Sequence, residues 1–101
     1  MREVDLTTTD EALAAGGYVL DVREADEFAA VHVPGVTHIP LSELVARVAE
    51  VPAEGTVHVI CAMGGRSLQG AEYLESTGRT AVSVEGGTQA WIQSGRPVVR
   101  G

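Results

Sequence analysis

The chain has 101 residues, of which 45% are hydrophobic and 21% charged, a balance that predicts one globular domain rather than a disordered segment. The formal net charge is −7 and the basic residues form no cluster, which argues against a nucleic-acid partner. No apolar run approaches the roughly 20 residues that span a membrane and the N-terminus lacks a signal-peptide pattern, so we expect a cytoplasmic protein without a membrane partner.

Short branched segments alternate with segments of helical pattern along residues 1–101. The predicted elements are, in chain order, strand 4–6, helix 7–15, strand 18–22, helix 24–31, strand 37–39, helix 42–50, strand 56–60, helix 67–77, strand 81–84 and helix 88–94. We expect Thr7, Thr8 or Thr9 to cap the first helix, because Thr8 and Glu11 have the spacing of a capping box. The alternation is typical of a single α/β domain with a mainly parallel sheet and helices on both faces.

Three polar or glycine-rich stretches each follow a predicted strand, at residues 21–23, 61–67 and 85–87. The carboxyl ends of parallel strands lie at one edge of a sheet, and the sites of open α/β sheets are found there. The sequence therefore predicts one functional site to which all three stretches contribute.

The central stretch links a buried strand to a helix and begins with Cys61, the only cysteine. Gly64 and Gly65 permit backbone angles that other residues avoid, so the loop can turn its N–H groups inward and form an anion-binding nest. A cysteine at the mouth of such a nest, next to a helix N-terminus, is expected to be largely thiolate. We expect Arg66 to lie at the rim and to pair with an incoming anion.

A lone cysteine at a strand end is also commonly a small buried hydrophobe, and this alternative stays open. A single cysteine excludes an intramolecular disulfide and a zinc ribbon. His32, His38 and His58 do not have zinc-type spacing, so we expect no metal and predict ordinary hydrogen-bonding side chains.

Two charged residues, Asp21 and Arg23, end the strand before the second helix. Asp21 could anchor the active loop, but a structural salt bridge to Arg23 or a helix cap is the interpretation that we favour. Ser67, at the start of the following helix, is a further supporting candidate. Met63 is as consistent with a substrate rim as with a solvent-facing loop position, and Trp91 is assigned to the core.

The sequence resembles the rhodanese family over nearly its whole length. The stretches that carry the resemblance are Leu20-Asp21-Val22-Arg23 with Glu27-Phe28, the segment from His32 to Leu41, the segment from Val59 to Ser67, and Val84-Glu85-Gly86-Gly87 with Ala90-Trp91. The resemblance implies a three-layer sandwich with a five-stranded parallel sheet. It also implies a persulfide on Cys61, cradled by the backbone of Ala62, Met63, Gly64, Gly65 and Arg66.

We therefore expect a cofactor-independent sulfurtransferase that moves sulfane sulfur from thiosulfate or a related donor to cyanide, glutathione or a protein thiol. Thiosulfate-preferring members of the family often carry extra basic residues in this loop, whereas Ala62 and Met63 are apolar here. An organic persulfide or a protein donor could therefore be the physiological one.

Two other functions remain open from the sequence. The first is a sulfur-carrier or interaction module in which turnover is incidental. The second is a phosphatase or arsenate reductase. It is disfavoured because only four residues separate Cys61 from Arg66, fewer than those enzymes use to surround a tetrahedral oxyanion.

Overall fold

Strands and helices alternate along a computed structural model that describes residues 2–101. The strands are β1 Arg2–Val4, β2 Tyr18–Asp21, β3 Val31–His32, β4 Thr37–His38, β5 Thr56–Ile60, β6 Thr80–Val84 and β7 Val99–Arg100. The helices are α1 Leu6–Ala14, α2 Ala25–Ala30, α3 Leu41–Leu44, α4 Gly65–Ser76 and α5 Gly87–Gln93, with a 3₁₀ turn at Val48–Glu50.

The main sheet has five strands in the order β1-β6-β5-β2-β4, and every neighbouring pair is parallel. The central strand β5 pairs with β2 and β6, so its carboxyl end lies between theirs. The predicted α/β fold with a five-stranded parallel sheet is confirmed. Its topology brings the residues that follow β2, β5 and β6 to one edge of the sheet.

Successive side chains of the central strands point to opposite faces, and each face has its own aliphatic core. On one face, Leu20 and Val59 pack with Leu44 of α3 and Leu74 of α4. On the other face, a second cluster joins the sheet to α1 and α5; its buried members are Val19, Val33, Ile60, Val84 and Trp91. The result is three layers, with Trp91 in the core as predicted.

The N-terminal elements begin earlier than the sequence predicts. The first strand ends at Val4, and Leu6 already belongs to α1. The predicted threonine cap is wrong, because Asp5 is the N-cap and its carboxylate accepts the Thr8 N–H at 2.8 Å. A carboxylate is the stronger acceptor for this N–H group, and its charge also suits the positive end of the helix.

The predicted helix 42–50 is also wrong, since α3 covers one turn and the chain continues through a turn into the 3₁₀ segment. Val45, within the predicted helix, is 66% exposed. The β-branched Val45 and Val48 favour a helix only weakly. The antiparallel pair of β3 with β7 was missed, because strands of two residues show no periodicity. Within residues 2–101, every helix is too short or too polar to cross a bilayer.

Candidate active site

Cys61 lies directly after β5, and its sulfur is surrounded by donors of the loop that follows. The Gly64 N–H donates to Sγ at 3.0 Å, and Ser67 Oγ lies 3.4 Å from Sγ. Cys61 is only 1% exposed, and it packs in one of the two aliphatic clusters of the core. Both interpretations of the cysteine are therefore partly realised: the residue is buried, but polar groups face its sulfur.

The hydrogen bonds around Cys61 favour its anionic form. Burial raises the pKa of the Cys61 thiol, but the Ser67 hydroxyl and the backbone N–H groups of Ser67, Gly64 and Met63 lower it by more. The pKa of Cys61 is consequently lower than that of an ordinary thiol. A larger fraction of the residue is thiolate at neutral pH, which is the nucleophilic form.

The turn of the loop depends on Gly64 rather than on Gly65. Gly64 has a φ of +118°, which a residue with a Cβ rarely adopts, and it is the N-cap of α4. Gly65 is the first residue of α4, and its φ is not positive. Nothing lies within 4 Å of the position that its Cβ would take. Of the two glycines that permit unusual backbone angles, only Gly64 uses one.

N–H groups at the start of α5 hold the loop in place by donating to carbonyl groups of the loop. The Thr88 N–H donates to the Cys61 carbonyl at 2.8 Å, and the Gln89 N–H donates to the Ala62 carbonyl at 3.0 Å. Gly87, with a φ of +59°, allows this approach, because a Cβ there would lie 2.7 Å from the Ala62 carbonyl oxygen. Since these carbonyls face α5, the N–H groups of the loop remain available to the sulfur.

Two buried hydroxyl groups extend the polar network behind the sulfur. Ser67 Oγ donates to the Gly64 carbonyl at 3.0 Å and lies 2.7 Å from Ser83 Oγ. Both serines are completely buried. When Cys61 is ionised, the Ser67 hydroxyl can donate to the sulfur while Ser83 donates to Ser67. Ser83 was missed from the sequence, although a polar residue in the apolar run 81–84 was a usable signal.

Asp21 and Arg23 form the structural salt bridge that the sequence offered as one alternative. The Arg23 side chain donates to both Asp21 carboxylate oxygens, with Nη2 3.0 Å from Oδ2, and Arg23 Nη2 also donates to the Val31 carbonyl at 2.7 Å. The carboxylate also accepts the Arg23 backbone N–H at 2.9 Å. The pair shapes the turn after β2, and Asp21 anchors Arg23 rather than the loop around Cys61.

Arg66 is engaged by Glu27, a residue that the sequence analysis did not assign to the site. Both terminal nitrogens of Arg66 donate to the carboxylate of Glu27, at 2.6 and 2.9 Å. The two residues are 39 positions apart, so no local pattern predicts the contact. Met63, in contrast, is 72% exposed at the tip of the loop. The rim thus consists of one neutralised ion pair and one apolar side chain.

The histidines do not form a metal site. His32 and His38 stack on either side of Phe28, with ring centroids 3.9 and 4.3 Å away, and each donates a ring N–H to a backbone carbonyl. The Nδ1 of His58 is buried without a hydrogen-bond partner, and burial lowers the pKa of His58. Among residues 2–101, no group of His, Cys, Asp and Glu side chains is arranged to hold a metal ion.

A surface cleft of about 300 Å³ lies away from Cys61, at the start of β6. Its lining residues are Arg2, Glu75, Thr80, Ala81 and Val82. None of these is a nucleophile of the kind found in the loop, so the candidate site is the shell of donors around Cys61 and not this cleft.

Comparisons with known proteins return a rhodanese-like family model and relatives named for sulfur transfer. The family model described as Rhodanese-like domain matches residues 5–94. A protein named sulfurtransferase from Allochromatium vinosum is 31% identical, over 98% of this chain and 95% of its own. The putative sulfur carrier protein YrkF of Bacillus subtilis is 36% identical over 72% of this chain, which spans 40% of that protein. The crystal structure of a rhodanese-related protein from Thermoplasma volcanium superposes with a TM-score of 0.90 at 36% identity, covering 98% of both chains.

Proposed function

This chain belongs to the family of rhodanese-like domains, and on that premise we propose that it transfers sulfane sulfur through a persulfide on Cys61. The names of its relatives support a role in sulfur transfer. The observation that carries the assignment to Cys61 is the hydrogen bond of 3.0 Å from the Gly64 N–H to its sulfur, and the N–H groups of Met63 and Ser67 also lower the pKa of Cys61.

The proposed reaction is a double displacement. The Cys61 thiolate attacks the outer sulfur of the donor, so a new S–S bond forms on Sγ and the S–S bond of the donor breaks. The electron pair of the broken bond leaves with the remainder of the donor, as sulfite from thiosulfate or as a thiolate from an organic persulfide. A thiol or cyanide then attacks the outer sulfur of the persulfide, and the electron pair returns to Cys61.

The loop stabilises the anionic sulfur by fixed dipoles. The N–H groups of Met63 and Gly64 belong to a backbone whose carbonyls at Cys61 and Ala62 accept hydrogen bonds from α5. Donors that are oriented before the reaction do not need to reorganise when charge moves onto the sulfur. The scheme requires no metal or organic cofactor.

The partners in this proposal are a small sulfur donor and a thiol or cyanide acceptor, with a protein thiol as a further possible acceptor. The net charge of −7 gives no support for a nucleic-acid partner. A cytoplasmic location, and the organisation of residues 1–101 as a single functional domain, stay predictions.

A sulfur-carrier role is the second candidate, favoured by the 36% identity to a protein named as a sulfur carrier. A phosphatase function has less support than it had from the sequence. The guanidinium that would bind a phosphoryl group is paired with Glu27, and the loop has only four residues between Cys61 and Arg66.

Intact-mass measurement after incubation with a sulfane-sulfur donor tests the proposal. We expect the mass to rise by that of one sulfur atom, the addition to disappear with cyanide, and Cys61→Ser to remain unmodified. Turnover of many equivalents of donor and acceptor would indicate an enzyme, whereas a single equivalent would indicate a carrier. Hydrolysis of an aryl phosphate by a protein that never gains sulfur would contradict both.

A further inference from the structure

The loop around Cys61 carries a single charged side chain, and that charge is already neutralised. Arg66 and Glu27 form a two-point ion pair, with side chains that are 34% and 33% exposed. The guanidinium of Arg23, which also acts on Glu27, is occupied by Asp21. Glu27 has the largest effect on the pKa of Arg66 and raises it, and negative charge on Cys61 raises it further.

The carboxylate of Glu27 accepts hydrogen bonds from the backbone of its own helix start as well as from Arg66. Glu27 lies in the first turn of α2, and the Glu24 N–H donates to its Oε1 at 3.0 Å. The hydrogen bonds from Arg66 are the main reason that the pKa of Glu27 falls to about 2. Glu27 is therefore ionised at every pH at which a cysteine thiolate is useful, and the ion pair is a constant feature of the site.

The side chains of Met63, Glu24 and Glu85, beside the loop, bring no positive charge to a negatively charged donor. Met63 is exposed and apolar, and Gly65 has no side chain. Glu24 and Glu85 are exposed acids on the segments that flank the loop, and the net charge of the chain is −7. A donor thus meets one ring of backbone dipoles, suited to a single anionic sulfur, inside a negative surface.

We infer that Glu27 is a specificity-determining residue, which neutralises Arg66 and so selects singly charged sulfane-sulfur donors, such as organic persulfides, over the thiosulfate dianion. The inference rests on the proposed sulfur transfer and names its donor class. Thiosulfate brings a second negative charge to the site and releases it on sulfite, while the loop provides donors for the transferred sulfur alone. An organic persulfide releases a thiolate with only one charge.

Two donors of matched chemistry test this role of Glu27. In thiosulfate and in methanethiosulfonate the outer sulfur is bonded to a sulfonyl-type sulfur, and transfer of the outer sulfur breaks this S–S bond. They differ because a methyl group replaces one charged oxygen, so the first is a dianion and the second a monoanion. The measurement is the second-order rate constant of sulfur addition to Cys61, followed by intact mass, for the wild type and for Glu27→Gln.

Glu27→Gln removes the charge and retains an amide oxygen for the Glu24 N–H. We expect it to raise the rate constant about tenfold for thiosulfate but only about threefold for methanethiosulfonate, because Coulomb energy is proportional to the charge of the donor. Glu54→Gln makes the same change in net charge at an exposed loop position before β5 and should leave the ratio of the two rates unchanged. Adding Arg66→Gln to Glu27→Gln removes the pair as a unit and should return the ratio to near the wild-type value.

A measurement on the unaltered protein keeps the test decisive even if the variants fail to fold. Added KCl screens exposed charges, so the wild-type rate with thiosulfate should rise with salt, and more steeply than the rate with methanethiosulfonate. A thiosulfate rate that falls with salt, or a donor ratio that is unchanged in a folded Glu27→Gln, overturns the role of Glu27. If neither donor adds sulfur to the wild type, sulfur transfer itself is overturned.

Discussion

The close approach of α5 to the active loop predicts that Gly87→Ala damages both stability and sulfur transfer. An alanine at the φ of +59° costs about 1–2 kcal/mol by itself. Its Cβ would also lie 2.7 Å from the Ala62 carbonyl oxygen, so the two backbones must separate. That separation breaks the bonds from Thr88 to Cys61 and from Gln89 to Ala62, each contributing about 1 kcal/mol. The expected loss in the free energy of unfolding is about 3–4 kcal/mol.

Gly55→Ala is the matched control for the conformational part of this cost. Gly55 has a φ of +80°, and nothing lies within 4 Å of the position that its Cβ would take. Urea unfolding, monitored by the fluorescence of the buried Trp91, should therefore show a loss of only about 1–2 kcal/mol for Gly55→Ala.

Sulfur loading should separate the same two variants. Gly55→Ala should load Cys61 at the wild-type rate. Gly87→Ala should be slower by about 100-fold or more, because the N–H donors of the loop lose their orientation. If Gly87→Ala is no less stable than Gly55→Ala and loads sulfur normally, α5 does not hold the cradle in the way described here.

Three further predictions concern the loop and its supports. Gly64→Ala should lower the unfolding free energy by about 1–3 kcal/mol and slow sulfur addition to Cys61, whereas Gly65→Ala should have neither effect. Urea unfolding and intact mass measure the two effects. Equal effects of the two variants would contradict the assignment of the turn to Gly64. Asp21→Asn breaks a buried ion pair and should lower the unfolding free energy by about 3 kcal/mol, and a loss below about 1 kcal/mol would show that the pair is not needed. Ser67→Ala should raise the pKa of Cys61, so the pH profile of its alkylation by iodoacetamide should move to higher pH, and a profile that stays in place would rule out the hydroxyl as a donor.

Local patterns were sufficient to predict the central strands of the sheet. The run Thr56–Ile60 has three β-branched apolar residues and was predicted with its observed bounds, and the strand that ends at Asp21 was predicted to within one residue. The elements that were missed depend on contacts between distant segments. β3 exists because Val31 and His32 meet Arg100 and Val99, a pairing that no property of either two-residue strand predicts.

The same distinction applies to the site. Cys61 and its loop were identified because the signal is local: a strand end, two glycines and the start of a helix. The contacts that decide the charge of the site join residues far apart in the chain, as Glu27 with Arg66 and Ser67 with Ser83. The net charge of the chain predicts a surface that repels anions, but it cannot predict which arginine is already neutralised by a carboxylate.

The arrangement of charges explains why the loop uses backbone dipoles. Free guanidinium groups beside Cys61 would stabilise the thiolate and also attract dianions, so nucleophile activation and donor choice would be coupled. In this fold Arg66 is paired with Glu27, and Arg23 is paired with Asp21. The pKa of Cys61 is then lowered mainly by N–H and O–H dipoles, which favour one anion at one position and fall off rapidly with distance. Activation of the sulfur is thereby separated from attraction of the donor, and the second property can change through Glu27 while the first is retained.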